Sequence, residues 1–117
     1  LTGPSSILLA LMASGLNGQS FCFHGYLPVK KPDRIRKIRE IEQTAVRKGE
    51  TQLFIEAPYR NDALLSDILE TCHPSTLLCI AADITLESEF IFTKTTAAWK
   101  KKKPALHKRP VLFLIGQ

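Results

Sequence analysis

The chain has 117 residues, 44% of them hydrophobic, and a formal charge of +5, which suits one domain burying roughly two thirds of its unfolded surface and excludes a disordered segment. Its longest apolar run, residues 7–13, is far shorter than the ~20 residues of a membrane-spanning helix and lacks the basic leader and cleavage site of a secretory signal. Cys22, Cys72 and Cys79 have no CxxC spacing and His24, His73 and His107 are scattered, which argues against a disulfide framework and a zinc site and for reduced thiols in a cytoplasmic protein.

The chain begins at Leu1 without an initiator methionine, so a piece of a longer protein is expected. Gly3-Pro4-Ser5-Ser6 before "ILLALMA" reads as a helix start, with proline in the first turn and serines free to meet early backbone amides. That helix is apolar nearly all round, which predicts burial; Gly15 is a natural stop. "SFCFHG" reads as a short strand with Phe21 and Phe23 on alternate positions. In "DRIRKIREIEQTAVRKG", Ile35, Ile38, Ile41 and Ala45 recur at helical spacing and Gly49 closes the helix.

"TQLFIEA" is a strand, and Pro58 disfavours helical geometry at Ala57, helping the chain turn out of it. Asn61 is placed to cap the next helix, whose Leu64, Leu65, Ile68, Leu69 and Cys72 form one stripe before His73-Pro74 ends it. "TLLCIAA" has the continuous apolar character of a central strand. "FIFTKT", a short helix around residues 97–101 and the strand "PVLFLIG" complete the order. Strands alternating with helices predict one α/β domain over residues 1–117: a mixed, mainly parallel five-stranded sheet with helices on both faces.

In such sheets ligands gather beyond the carboxyl ends of strands, where "EAPYR" (56–60) and "ADIT" (82–85) both fall. Charge is segregated. Lys30, Lys31, Arg34, Arg36, Lys37 and Arg39 form one basic block, and Lys100–Lys103, Lys108 and Arg109 another; between Glu50 and Glu89 there are eight acids and one base, Arg60. Two solvated faces explain this as readily as an anionic partner such as RNA. Arg60 is expected to pair with Glu56, Asp62 or Asp83 or to hold a ligand. Glu87 and Glu89 could line one face of an edge strand, though surface carboxylates are the commoner state. There is no G-x-S-x-G elbow, Walker loop or GxGxxG, and no complete catalytic set; the catalytic residues stay unassigned and no metal is expected.

Several segments together resemble the C-terminal domain of the tetrapyrrole (corrin/porphyrin) methylase family. "GPSS" (3–6) is similar to a Gly-Pro-Ser-Ala that opens that domain, and "FCFHGYLPVKK" to its phenylalanine-rich strand and the G-(F/Y)-L-P after it. "FIEAPYR" resembles the Y-E-S-P-H-R of the branch that methylates a ribose 2′-hydroxyl in small-subunit ribosomal RNA, and "RPVLFLIG" its last strand. The departures are Ala57 for Ser, Tyr59 for His, Ala82-Asp83 for Arg-Glu, "TKT" for R-G-T, and "LESE" for Lys-Lys-Phe-Glu; they mark a divergent subfamily.

The resemblance implies a two-domain, S-adenosylmethionine-dependent methyltransferase, with the N-terminal domain outside this chain, a homodimeric assembly, and ribosomal RNA or a tetrapyrrole as substrate. It assigns the adenosine end of the cofactor to Ile55, Glu56, Ala57, Ala82, Asp83, Ile84 and Thr85, at the tips of two strands taken as neighbours. Ser5, Ser6, Tyr59 and Arg60 become candidate substrate contacts. The competing reading is a non-catalytic module that binds RNA through its basic blocks, with Trp99 stacking on a base or serving the core, or that only dimerises.

Overall fold

The computed structural model describes residues 4–116, with side chains from Ile7 onward. The elements are α1 (Pro4–Ser14), β1 (Phe21–Tyr26), α2 (Lys31–Lys48), β2 (Thr51–Ile55), a 3-10 turn at Pro58–Arg60, α3 (Asn61–Thr71), β3 (Leu77–Ala82), β4 (Phe90–Thr95), α4 (Thr96–Lys101) and β5 (Val111–Gly116). They form one five-stranded sheet in the order β1-β2-β5-β3-β4.

The expectation of a mainly parallel sheet is corrected. Among the described residues only β1 and β2 pair in parallel; β2–β5, β5–β3 and β3–β4 are antiparallel. Residues 83–89 are too short a link for a parallel crossover, which needs a dozen residues or more, so β4 folds back on β3. The last strand then returns between β2 and β3 and runs against both.

Helices cover both faces, as expected. Side-chain alternation along β5 divides the core: Phe113 and Ile115 join Ile38, Ile41, Leu64 and Ile68 of α2 and α3, while Leu112 and Leu114 join Ala10 and Leu11 of α1. Phe54 and Phe113, partners across β2–β5, stack with ring centroids 5.7 Å apart. Helix α2 behaves as its spacing predicts: Ile38, Ile41 and Ala45 are buried, and Gly49 closes it at φ +62°, a left-handed conformation that glycine adopts without penalty.

Two departures concern burial. Helix α1 is apolar all round but only one side meets the sheet, leaving Leu8, Leu9 and Met12 exposed, Met12 at 81%. Arg34, from the first basic block, does not face solvent; it donates to Asp67 at 2.7 Å and to the Val29 carbonyl at 2.6 Å, tying α2 to α3.

Burial pushes the Cys72 thiol up to about 12, with the Glu42 carboxylate adding to the rise. Burial also raises Cys79 to about 11, with the neighbouring Thr93 hydroxyl partly offsetting the rise. Because the thiolate is the reactive form, neither should be alkylated by a maleimide at pH 8 in the folded protein. Both should label fully in 8 M urea, and mass spectrometry before and after denaturation checks this; labelling of Cys79 without urea would contradict the packing.

Candidate functional site

Since β1, β2 and β3 run one way and β4 and β5 the other, the carboxyl ends of β2 and β3 share one end of the sheet with the amino ends of β5 and β4. At the β2 tip the chain leaves the strand through Glu56. Ala57 is extended, with φ −59° and ψ 136°, as the following proline demands. The buried Glu56 carboxylate accepts from the Ala57 amide at 2.7 Å and from Arg60 Nε at 3.3 Å. Arg60 in turn lies over the Tyr59 ring, 5.1 Å from its centroid. Tyr59 is exposed and Arg60 half-buried, so a phenol and a guanidinium stand together at the rim, fixed from below by a carboxylate.

At the β3 tip the chain turns through two residues of positive φ, Asp83 at +52° and Thr85 at +72°, a sharp reversal uncommon for residues with a Cβ. Asp83 is buried. Its carboxylate accepts from Arg109 Nε at 2.7 Å and the Ser88 hydroxyl at 2.9 Å. Burial opposes its ionisation, but the bonds from Arg109 and Ser88 and the Arg109 charge prevail and hold its carboxyl below the ordinary 3.8.

The two tips are not neighbours. β5 lies between them, with Leu112 opposite both Ile55 and Ala81, so the tips stand two strand spacings apart, roughly 10 Å. The segment leading into β5 fills the interval. The Lys108 amide donates to the Pro58 carbonyl on the β2 side, and the Pro110 carbonyl accepts from the Asp83 amide on the β3 side, each at 3.0 Å. Asn61 holds this segment too: its amide nitrogen donates to the carbonyls of Arg109 at 2.7 Å and Leu106 at 3.2 Å, and Asp62 accepts from the Leu106 amide. Asn61 therefore does not cap α3, as its position in sequence had suggested; its side chain is drawn into the interior by two carbonyls of the incoming strand.

Of the predicted cofactor residues, Ile55, Glu56, Ala82 and Asp83 are buried, Ala57 and Ile84 half-buried, and Thr85 exposed. Much of the expected backbone already has partners: the Ala57 amide is on Glu56, the Ala57 carbonyl on the Arg60 amide, the Asp83 carbonyl on the Leu86 amide. The Thr85 amide donates at 2.8 Å to the exposed carboxylate of Glu89, a contact a ligand acceptor can replace. Glu87 and Glu89 lie in the link before β4 rather than along an edge strand. Trp99 is 1% exposed and donates to the Leu78 carbonyl at 2.7 Å; it serves the core and is closed to base stacking. The side chains of Ser5 and Ser6 lie outside the described residues. At the other end of α1, the Ser14 carbonyl accepts from Thr93 and Leu16 meets Gly116.

Arg109, Asn61 and Ser88, which hold the tips and the segment between them, were not singled out for that role: Arg109 was counted only in a basic block and Asn61 only as a helix cap. The usable signal was the short 83–89 link. It turns β4 antiparallel and leaves the last strand to enter at the tip end, bringing Arg109-Pro110 there. A hollow of about 580 Å3 between α2 and the turn after α3, lined by Glu42, Val46, His73 and Thr76, lies at the opposite end of the sheet. Among the described residues there is no group of His, Cys, Asp or Glu able to hold a metal ion and no helix long and apolar enough to cross a membrane.

No family model matches the chain. It is 30% identical over 98% of its length to ribosomal RNA small subunit methyltransferase I of Buchnera aphidicola subsp. Schizaphis graminum, and 28% identical over the same share to the Escherichia coli O157:H7 protein of that name. With the Vibrio cholerae protein it shares 35% over 78% of its length. The chain spans about 40% of the first two relatives. In fold it is similar to the methyltransferase CobJ (TM-score 0.58, 18% identity, 95% of this chain and 47% of that one). It is also similar to uroporphyrin-III C-methyl transferase from Thermus thermophilus complexed with S-adenyl homocysteine (0.53, 16%, 92% and 49%).

Proposed function

Taking this chain as a homologue of ribosomal RNA small subunit methyltransferase I with the fold of the tetrapyrrole methylases, we propose that it is the second of two domains of an S-adenosylmethionine-dependent methyltransferase. In that reading the end of the sheet carrying Glu56 and Asp83 is one wall of the cofactor cleft. The observation that carries it is the similarity along nearly the whole chain to methyltransferases, joined to the convergence of "EAPYR" and "ADIT" at one end of one sheet.

The residues present fit the adenosine end of such a cofactor in a limited way. Ala57 and Ile84 offer half-buried apolar surface, and the Thr85 amide is held only by the exposed Glu89, which suits an apolar slot with few polar groups. When bound, the cofactor supplies a methyl group on a sulfonium. The chain's task is to fix donor and acceptor in line and keep water away. Glu56 and Asp83, each locked to an arginine, give the wall its rigidity; Tyr59 and Arg60 reach out toward the acceptor. The names of the relatives and the basic segment 100–109 favour ribosomal RNA over a tetrapyrrole, and with that substrate the enzyme acts in the cytoplasm. The bare side of α1 and the exposed Phe21 and Phe23 favour a homodimer built on that face.

The test is the full-length protein with labelled S-adenosylmethionine, offered small-subunit ribosomal RNA and tetrapyrrole precursors. Label is expected in the RNA. Ala57→Trp, which sets a large ring on the half-buried turn at the β2 tip, should raise the KM for the cofactor about tenfold, some 1.4 kcal/mol of lost binding. Label in neither substrate, or an unaltered KM, would sink the reading.

A further inference from the structure

The geometry points to a stacking platform for single-stranded RNA on the outer edge of the sheet, centred on the Phe92 ring and flanked by Lys94, Lys102 and Lys103; the choice of RNA rests on the substrate class proposed above. Strand β4 is an edge strand. On it Phe92 is 53% exposed, a large apolar ring turned to solvent. Its orientation is fixed: Phe90 packs edge-on against it with centroids 4.9 Å apart, and Phe90 is itself set against the buried Trp99 at 6.1 Å. One face of a held aromatic ring is the element that sequence-tolerant single-strand binding requires.

Beside the ring is a hollow of about 250 Å3, lined by Phe90, Phe92, Lys94, Trp99, Lys102 and Lys103 with Pro104. That is below the roughly 300–1,000 Å3 of sites that enclose a drug-sized ligand, the scale of one base rather than a whole cofactor. No carboxylate lines it. The Lys94 ammonium stands 4.7 Å from the Trp99 centroid and 5.9 Å from that of Phe92. Lys103 makes one long contact, 3.5 Å, to the Ser66 hydroxyl. Among the described residues none of these three lysines pairs with an acid. A single lysine on an edge strand is a common guard against strand pairing, and that accounts for Lys94. It does not account for Lys102 and Lys103, which arrive from the end of α4 and close on the same ring.

The platform is also continuous with the strand tips. The Arg109 guanidinium that holds Asp83 lies 5.9 Å from the Phe90 ring, and from Phe90 to Lys94 the strand advances about 13 Å at the usual rise. A strand of RNA whose reactive nucleotide sat at the tips would pass Arg109, lay a base on Phe92 and set its phosphates among the lysines.

The experiment is a titration of a fluorescein-labelled ten-nucleotide single-stranded RNA with the full-length protein, without methyl donor, at several salt concentrations. Phe92→Ala should weaken binding by about tenfold, within the range for loss of one stacked base, while Phe92→Tyr keeps it. The double change Lys102→Gln and Lys103→Gln should make the slope of log K against log salt shallower by about 1.4, two phosphate contacts' worth. Melting curves confirm that each variant folds. Wild-type affinity in Phe92→Ala overturns the platform; so does wild-type affinity in Phe92→Leu, which would mark an apolar face for a protein partner. Because no donor is present, RNA bound at Phe92 without methyl transfer leaves the platform standing and removes the catalytic reading. Methyl transfer with an indifferent Phe92 does the reverse.

Discussion

Replacing Arg109 with alanine will lower the unfolding free energy by about 2–4 kcal/mol at pH 7, measured by urea denaturation. The Asp83 side chain is 9% exposed and that of Arg109 29%. Truncating the arginine leaves a buried carboxylate with only the Ser88 hydroxyl, and losing one partner of a buried pair costs about 3–5 kcal/mol. The figure is reduced because solvent reaches the guanidinium. Arg109 does more than pair: it also donates to the carbonyls of Ala105 and Ser88, so its loss unties the β3 turn from the segment entering β5. For a chain of this size the melting midpoint should drop by roughly 10 °C. A fall of under 3 °C would mean that the two tips are not held together as described.

The same pair fixes a pH dependence. Asp83 ionises more readily folded than unfolded, because the bonds from Arg109 and Ser88 outweigh the burial that opposes charge. Its contribution is therefore complete above the unfolded carboxyl value near 3.8 and is lost as pH falls through the lower, folded value. In Asp83→Asn that loss disappears. The stability gap between wild type and this variant should be widest at neutral pH and close below about pH 3.8.

How far the sequence could anticipate this site is clear from Glu56 and Asp83. Both were placed at strand ends from hydrophobic runs that stop on polar residues, and both lie there. That Arg60 would pair with a nearby acid followed from its being the only base in an acidic stretch, but Glu56, Asp62 and Asp83 were equal candidates and the structure selects Glu56. Hydrophobic runs do not, however, encode strand direction. "PVLFLIG" has the continuous apolar character of any strand buried on both faces, and that pattern is the same whether it pairs in parallel or antiparallel. Hence the interposition of β5, the roles of Arg109 and Asn61, and the roughly 10 Å between the tips could be read only from tertiary pairing. Burial of α1 misled for a related reason. An apolar helix is covered on as many sides as it has partners, and this domain alone supplies one.

Trp99→Ala should be the other severe change, costing about 3–5 kcal/mol, the range for removing a buried large aromatic side chain. Helix α4 has six residues, too few to hold itself. What fixes it is the Trp99 ring in the core, its N–H on the Leu78 carbonyl, the Thr95 hydroxyl capping the Ala98 amide at 3.2 Å, and Thr96 on the His73 carbonyl at 2.7 Å. Without the ring, the segment from α4 to β5 has lost its anchor, and that segment carries Lys102, Lys103 and Arg109. Trp99→Phe keeps most of the packing and removes the hydrogen bond, so it should cost only about 1 kcal/mol beyond a small cavity. Amide hydrogen exchange across residues 96–110 is the discriminating readout: protection should collapse there first in Trp99→Ala and persist in Trp99→Phe. Set against Phe92→Ala, which should leave stability nearly unchanged and cost RNA affinity, this separates the two rings by physical role. The inner ring holds α4 and the lysines in place, and the outer ring uses that placement; a Trp99→Ala protein as stable as wild type would break the dependence of the second on the first.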